Sequence, residues 1–192
     1  FDTAVRGEVA ARTENQQREG VEQLLHAALP DAKLVKYETS GALALLKPMT
    51  ITMQIQVPNA APTVGGYRLL RTLVTSGALG IVERFLPEVF GGLPSRRFGL
   101  DAQTTFEFDE DETVALPAST NIVALPNDAK SDNPASSLMA SCKQTNPTTL
   151  DCHRAFAVKS RFIDPARYTE LMASLASVSR IGRQPVVLGG GK

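Results

Sequence analysis

The sequence predicts a mainly β, α+β protein, with antiparallel, sandwich-like sheets between an N-terminal helix and a C-terminal amphipathic helix. Short apolar runs alternate with polar residues, as in half-buried strands, and turn-forming segments rich in proline and glycine separate these runs. Helical periodicity is clear only at the two ends. With 192 residues, of which 43% are hydrophobic, the chain is long enough to form a hydrophobic core.

The first helix is predicted over residues 7–29, where apolar side chains recur on one face. Pro30 ends it, because proline cannot donate the hydrogen bond that would continue the helix. Strands are predicted next over residues 32–39, 50–58 and 67–74. The second of them places its apolar side chains on a single face: Ile51, Met53, Ile55 and Val57.

Further strands are predicted over residues 102–117 and 121–126, and residues 185–188 form a short apolar tail near the end of the chain. The first of these contains the acidic run Asp109–Glu112, which lacks the spacing of a calcium-binding loop and is predicted to be a solvated hairpin tip. Residues 76–94 are apolar and bracketed by glycine and proline. The sequence leaves open whether they form a helix or a packed loop.

The C-terminal helix is predicted over residues 165–180. Asp164 is its expected N-cap, Pro165 occupies the first helical position, and Gly182 is expected just beyond its end. Its apolar residues follow helical spacing: Tyr168, Leu171, Met172, Leu175 and Val178. A stripe of this kind must pack against another element. We divide the chain into residues 1–94 and 95–192, which form either two small subdomains or one continuous domain.

Composition excludes two classes of partner. The chain has 20 acidic and 20 basic residues and no net charge, whereas nucleic acids and acidic membrane surfaces require a basic face. No apolar run approaches the roughly 18 residues of a membrane span. We expect no nucleic-acid partner and no membrane insertion by this segment. The pair Arg96 and Arg97 is a candidate partner contact, with an ordinary ion-pair role as the alternative.

Both cysteines lie in a hairpin predicted over residues 136–163. If its turn is centred on Pro147, the opposed pairs are Thr145 with Thr149, Lys143 with Asp151 and Cys142 with Cys152. Opposed Cα atoms in antiparallel strands are about 4.5–5.5 Å apart, which suits a disulfide. The alternative is two separate thiols, buried as small apolar groups. A disulfide would imply an oxidising compartment.

The alternation of side chains between the two faces of a strand argues against cysteine catalysis. Leu150, Cys152, Phe156, Val158 and Phe162 are predicted to share the apolar face of the strand. His153 then points to the opposite face, so it cannot activate Cys152 as a nucleophile. An enzyme would need Cys142, a carboxylate and His26, which we place on the polar surface of the first helix. The cysteine and histidine spacings match no zinc motif, and we expect no catalytic residue, metal or cofactor.

The end of the chain resembles the C-terminal region of large bacterial proteins that carry a DUF3857 domain, then a transglutaminase-like domain, then a β-rich tail. The resemblance is carried by Ile163, by Pro165, Tyr168 and Leu171 of the helix that follows it, and by the ending Pro185–Leu188. The first half is also similar, with Gly7 and Ala10 in a helix that leads to the link Leu29–Ala32. The chain begins at Phe1, and we expect it to be a piece of a larger protein.

The resemblance implies that Cys-His-Asp chemistry belongs to the transglutaminase-like domain upstream of the tail. No catalytic residue carries over to this chain. The expected function is a non-catalytic accessory or interaction module of an exported protein, located in the periplasm or cell envelope, with the adjacent transglutaminase-like domain as its partner. The alternative is a periplasmic binding module for a polysaccharide, peptide or lipid, which a pocket lined by aromatic rings would favour.

Overall fold

The computed structural model describes residues 2–44, 46–76, 93–103, 105–181 and 183–189. The chain divides into two compact units, Phe1–Asn59 and Ala60–Lys192. The predicted mainly β class is confirmed, because several antiparallel sheets are accompanied by a few helices. The boundary predicted at residues 94 and 95 stays a prediction. Most of residues 76–94, whose conformation the sequence left open, lie outside the described residues.

The N-terminal unit begins with two helices rather than the single helix predicted over residues 7–29, so that prediction is wrong. Helix α1 spans Asp2–Ala11 and helix α2 spans Glu14–Ala28. The break is caused by a capping box: the Thr13 side chain accepts from the backbone N–H of Gln16, and the Gln16 side chain accepts from the backbone N–H of Thr13 at 3.0 Å. Favourable capping at Thr13 starts a new helix where the apolar pattern alone predicts continuity.

A two-stranded antiparallel sheet completes the N-terminal unit, with β1 at Lys33–Ser40 and β2 at Thr50–Gln56. A register shift between Leu34 and Lys36 changes the side-chain parity of β1. Leu34 and Tyr37 therefore both pack into one apolar cluster. The other members of this cluster come from α2, its C-terminal link, β2 and the residue after it: Val21, Leu25, Leu29, Ala32, Met53, Ile55 and Val57.

The described residues of the second unit form short and long strands and two helical segments. In chain order its elements are β3 (Thr63–Val64), β4 (Tyr67–Leu70), α3 (Leu73–Ser76), β5 (Leu100–Asp101), β6 (Phe106–Ala115), β7 (Ile122–Ala124), β8 (Ala129–Asp132), β9 (Ser136–Asn146), β10 (Thr149–Val158), β11 (Phe162–Ile163), α4 (Pro165–Ile181) and β12 (Val186–Gly189). The strand predicted over residues 67–74 is too long, because β4 ends at Leu70 and a helical turn follows.

The central sheet has the strand order β6-β10-β9-β8, and the second sheet has the order β3-β4-β12-β7. Strands β5 and β11 form a separate pair. Two apolar clusters pack on the buried side of the central sheet. One contains residues of α4, and the other contains residues of β4, α3 and β12. Long β6, β9 and β10 therefore serve as the common support for the smaller elements of this unit.

The β9–β10 hairpin pairs Cys142 with Cys152, as the sequence predicts. The predicted pairing of Thr145 with Thr149 is wrong, because Thr149 lies opposite Asn146 and Thr145 is the extra residue of a bulge. The Asn146 side chain accepts from the backbone N–H of Thr148 at 2.9 Å and closes the turn. The shorter turn and the bulge compensate each other, so the register at the cysteines is unchanged.

Helix α4 covers one end of the buried sheet face. The Asp164 carboxylate accepts from the backbone N–H of Arg167 at 2.9 Å, as expected for an N-cap. Tyr168, Leu171 and Val178 are buried in the cluster shared with β9 and β10, and Met172 and Leu175 pack against it. Gly182, predicted just beyond the helix, lies outside the described residues.

A buried serine inside this apolar stripe joins α4 to the sheet. The Ser174 hydroxyl accepts from Ser136 Oγ at 3.0 Å and from Asn133 Nδ2 at 3.2 Å. It donates to the Glu170 carbonyl of its own helix at 3.2 Å. Because Ser174 and Ser136 are both buried, each donor needs a partner inside the protein. Hydrogen bonds thus fix the position of α4 along β8 and β9.

We expect Ser174→Ala to lower the free energy of unfolding by about 1–3 kcal/mol, because it removes the acceptor of two hydrogen bonds, from Ser136 and Asn133, and leaves the buried Ser136 hydroxyl only a longer contact of 3.4 Å with Asn133 Oδ1. Urea denaturation followed by circular dichroism measures this change. Ser177→Ala is the matched control: its hydroxyl bonds to the Ala173 carbonyl of the same helix, and we expect a change within about 0.5 kcal/mol. Equal effects of the two substitutions would contradict this role of Ser174.

Candidate functional site

The middle of the central sheet gathers most of the residues whose side chains carry chemistry. Side chains of β10 alternate strictly between the two sheet faces, and the even-numbered ones are buried. This places Cys152 on the buried face and His153 on the opposite face, as the parity argument predicts. It also places Arg154, a residue that the sequence argument passed over, on the buried face between Cys152 and Phe156.

Arg154 forms a buried ion pair with Glu110, its cross-strand neighbour on β6. Arg154 is only 2% exposed and Glu110 is 13% exposed, and the Glu110 carboxylate accepts from Arg154 Nε at 2.7 Å and Nη2 at 2.5 Å. The guanidinium also lies 6.0 Å from the centre of the Phe108 ring. The opposite neighbour on β9 is Ala140, whose small side chain leaves space for the guanidinium. Removal of either partner from so deeply desolvated a pair would destabilise the fold, because the remaining charge would be buried without compensation.

Glu112 is a second carboxylate turned inward and partly buried, directly opposite Cys152 in the sheet. Its carboxylate accepts from the backbone N–H of Val74 at 2.9 Å, and it also bonds to Leu73 and Thr72. These contacts attach the start of α3 to the central sheet. Burial raises the pKa of Glu112, although the three hydrogen bonds oppose that effect.

The acidic run Asp109–Glu112 is therefore not the solvated hairpin tip that the sequence suggests. It lies within β6, where the period of two turns Glu110 and Glu112 inward and leaves Asp109 and Asp111 exposed. The acidic composition of β6 does not reveal which strand pairs with it. The partner of Glu110 is Arg154 on β10, and the partners of Glu112 lie at the start of α3, so two of the four carboxylates bind elements that are distant in the chain.

The exposed carboxylates of the run meet His153 on the open face of the sheet. His153 Nδ1 lies 2.9 Å from Asp111 Oδ1 and 3.5 Å from Asp109 Oδ1. All three donor groups fall within 4.8 Å of one another, so this is the place among the described residues where three protein ligands for a divalent cation come together. The 2.9 Å contact is also the geometry of a direct histidine–carboxylate hydrogen bond.

Cys142 and Cys152 are joined by a disulfide, with their Cα atoms 4.1 Å apart. Both cysteines are buried in the cluster that includes Leu150, Val186 and Leu188. Neither sulfur is a free thiol, so neither is available as a nucleophile in this oxidised state.

His26 is exposed on α2 in the N-terminal unit, as the sequence predicts. Its Nε2 lies 3.0 Å from the Ala32 carbonyl oxygen. This contact holds the C-terminal end of α2 against the segment that leads to β1.

The two arginines proposed as a partner contact have different environments. The Arg96 guanidinium lies 5.1 Å from the centre of the Tyr168 ring, and the Tyr168 hydroxyl donates to the Leu93 carbonyl at 2.8 Å. These contacts hold the segment before β5 against α4. Arg97 is exposed, next to Phe98, which is 83% exposed. Partner binding by this pair stays a prediction.

Phe162 does not share the buried face of β10, and this part of the parity prediction is wrong. Strand β10 ends at Val158, and the intervening turn resets the alternation, so Ile163 is buried while Phe162 is 64% exposed. Its ring lies against Gly99, where an added Cβ would come within 2.5 Å of the ring. Glycine is therefore required at position 99 for this contact.

Comparisons with known proteins identify a family but no activity. Residues 84–188, more than half of the chain, match the family described as "Domain of Unknown Function with solved-structure structure (DUF3858)". No curated protein matches the chain. A solved structure from Parabacteroides distasonis ATCC 8503, described as a "putative protease", is similar at 9% identity and a TM-score of 0.45. The match covers 53% of this chain and 20% of that one.

We expect the double substitution Cys142→Ala and Cys152→Ala to lower the free energy of unfolding by about 2–3 kcal/mol, because a cross-link restricts the unfolded chain. Its effect is moderate since the two cysteines are only 10 residues apart. Urea denaturation of both proteins measures the difference. Ser141→Ala, on the open face beside Cys142, is the control. If both wild-type thiols alkylate before reduction, the disulfide itself is contradicted.

We expect Glu112→Gln to remove the part of the pH dependence of the free energy of unfolding that comes from Glu112. The folded-state pKa of Glu112 is raised above 4.5, so its contribution to stability is complete below that pH and is lost as the pH rises through the raised pKa. Glutamine retains an oxygen that accepts from Val74 but does not titrate. We therefore expect the variant to gain stability relative to wild type as the pH increases.

Urea denaturation of wild type and variant at a series of pH values tests this expectation. Glu107→Gln is the control, because Glu107 lies on the exposed face of the same strand. A stability difference between Glu112→Gln and wild type that stays constant with pH would show that burial of the Glu112 charge has no energetic effect.

Proposed function

This chain belongs to the DUF3858 family, and from that premise we propose that it is a non-catalytic accessory and interaction module of an exported bacterial protein with a transglutaminase-like domain. The observation that carries the proposal is that the cysteine and buried charged side chains of the central sheet are bonded to one another. Cys142 and Cys152 form a disulfide, and the buried charges of Arg154 and Glu110 neutralise each other. These contacts stabilise a rigid sheet and leave no assembled nucleophile and base among the described residues.

The disulfide supports a location in the periplasm or cell envelope. Structural disulfides persist in oxidising compartments, and in the cytosol they are usually reduced. Among the helices of the described residues, none has the length and apolar character needed to cross a membrane. The proposed location follows from the redox state of Cys142 and Cys152 together with the bacterial family that the sequence resembles.

We place the contact with the transglutaminase-like domain at Arg97 and Phe98. Arginine and aromatic side chains are enriched in the energetically important centres of protein interfaces. The stacking of Arg96 on Tyr168 fixes the preceding backbone, so the two exposed side chains that follow are presented from an anchored segment. The alternative of a binding module for a polysaccharide, peptide or lipid stays a prediction.

Calorimetric titration of this chain with the transglutaminase-like domain of the same protein tests the interaction. We expect binding, and a loss of roughly tenfold or more in affinity for Arg97→Ala combined with Phe98→Ala, because both side chains would lose buried contacts. Lys143→Ala, on the open face of the central sheet, is the control and should bind like wild type. Unchanged affinity of the double variant would exclude this surface, and absence of wild-type binding would exclude the partner.

The non-catalytic assignment has a separate test. The chain is incubated with a glutamine-containing protein and a primary amine, and amine incorporation and peptide release are both followed by mass spectrometry. We expect neither product. A product that disappears in His153→Ala, while the circular dichroism spectrum and melting temperature are unchanged, would make this chain an enzyme.

A further inference from the structure

The outer edge of β2 in the N-terminal unit belongs to a strand whose side chains are mostly exposed. Within the described residues, β2 pairs with β1 on one side, and its other side has no strand neighbour. An edge strand presents backbone N–H and C=O groups that can pair with another chain, so soluble proteins normally protect such edges. Seven residues, Thr50–Gln56, are long enough for a continuous ladder.

The two edges of this small sheet are protected to different degrees. Strand β1 carries three charged residues, Lys33, Lys36 and Glu38, and its register shift after Leu34 distorts the edge. Charged side chains and bulges both discourage pairing with another strand. Strand β2 is regular over its length and contains neither a charged residue nor a proline. The only edge of this sheet without a protecting feature is therefore that of β2.

The sequence of β2 is complementary to itself in the antiparallel direction. If two copies pair with Met53 opposite Met53, then Ile51 lies opposite Ile55 and Thr52 lies opposite Gln54 in both halves of the ladder. Apolar side chains meet apolar ones, and polar side chains meet polar ones. No charged side chain enters the pairing, so no like-charge contact opposes it.

We propose that β2 pairs with β2 of a second copy of this chain, in antiparallel register about Met53, and forms a symmetric dimer. The two small sheets then become one four-stranded sheet in the order β1-β2-β2-β1. Such an interface is isologous, since each copy contributes the same residues. The proposal concerns the N-terminal unit and does not depend on the function proposed above.

The pairing also explains an exposed apolar side chain. Ile51 is 43% exposed, although it shares its sheet face with Met53 and Ile55, which pack in the apolar cluster under α2. In the dimer, Ile51 contacts Ile55 of the second copy and extends that apolar face across the two-fold axis. Three or more strands with one apolar face are also more stable than an isolated two-stranded ribbon.

Sedimentation equilibrium of the chain tests the association, and a matched pair of variants tests the surface. Wild type should approach twice the 20.6 kDa chain mass as concentration increases. Thr52→Lys with Gln54→Lys places like charges opposite each other twice in the dimer and should leave a monomer at every concentration. Thr52→Lys with Gln54→Glu places opposite charges there and should restore the dimer.

The pairing of β2 with β1 shows which of the two double variants needs a folding control. Thr52 faces Glu38 and Gln54 faces Lys36 on β1, so the Lys/Glu variant suits its own sheet, whereas the Lys/Lys variant places one lysine opposite Lys36. Circular dichroism must therefore show that the Lys/Lys variant is folded before its mass is interpreted. A wild-type chain that stays monomeric, or a folded Lys/Lys variant that still dimerises, overturns the proposal.

A single-cysteine cross-link tests the register independently. Met53→Cys places two thiols at the two-fold axis, within the Cα separation that a disulfide requires, and mild oxidation should give a covalent dimer. Thr50→Cys, three residues from the axis on the same strand, should stay uncross-linked. The native cysteines do not interfere because they are already joined to each other. Cross-linking at Thr50→Cys but not at Met53→Cys contradicts pairing about Met53.

Discussion

The register between β9 and β10 is the constraint on which the rest of the second unit depends. Side chains alternate between sheet faces, so a slip of one residue would turn the whole buried set outward. The Cys142–Cys152 disulfide and the bulge at Thr145 together hold the register that turns Cys152 and Arg154 inward and His153 outward. Strand β6 pairs with β10 in this register, and helix α4 and strand β12 pack on the sheet face whose composition the register determines.

Polar groups inside the core give this packing a specific arrangement. Arg154 and Glu110 lie where the apolar cluster under α4 meets the cluster around the disulfide, and each charge needs the other. Ser174 similarly requires Ser136 and Asn133. Apolar contacts alone would permit α4 to slide along the sheet, whereas a displaced hydrogen-bonding group would be buried without a partner. The cost of desolvating these groups thus favours one arrangement over its neighbours.

The residues with reactive or ionisable side chains chiefly make structural contacts in this protein. Both cysteines close a hairpin, and two of the four carboxylates in Asp109–Glu112 bind an arginine or the backbone of α3. The interaction role that we propose for this DUF3858 member rests on this pattern, because an interaction needs a stable surface more than a reactive group. The exposed Arg97 and Phe98 are features that such a role would use.

The sequence by itself determined the mainly β class, the C-terminal helix with its Asp164 cap, and the opposition of Cys142 and Cys152, because each follows from local periodicity or capping. Local pattern also gave two wrong predictions. The Thr13 capping box interrupts the helix that the apolar spacing predicts as continuous, and the bulge at Thr145 changes the residue that pairs with Thr149. Only the tertiary structure decided that Arg154 and Ser174 are buried and that Glu110 and Glu112 turn inward and are partly buried. Their partners lie on strands or helices distant in the chain, and a charged side chain carries no local sign that another element will neutralise it.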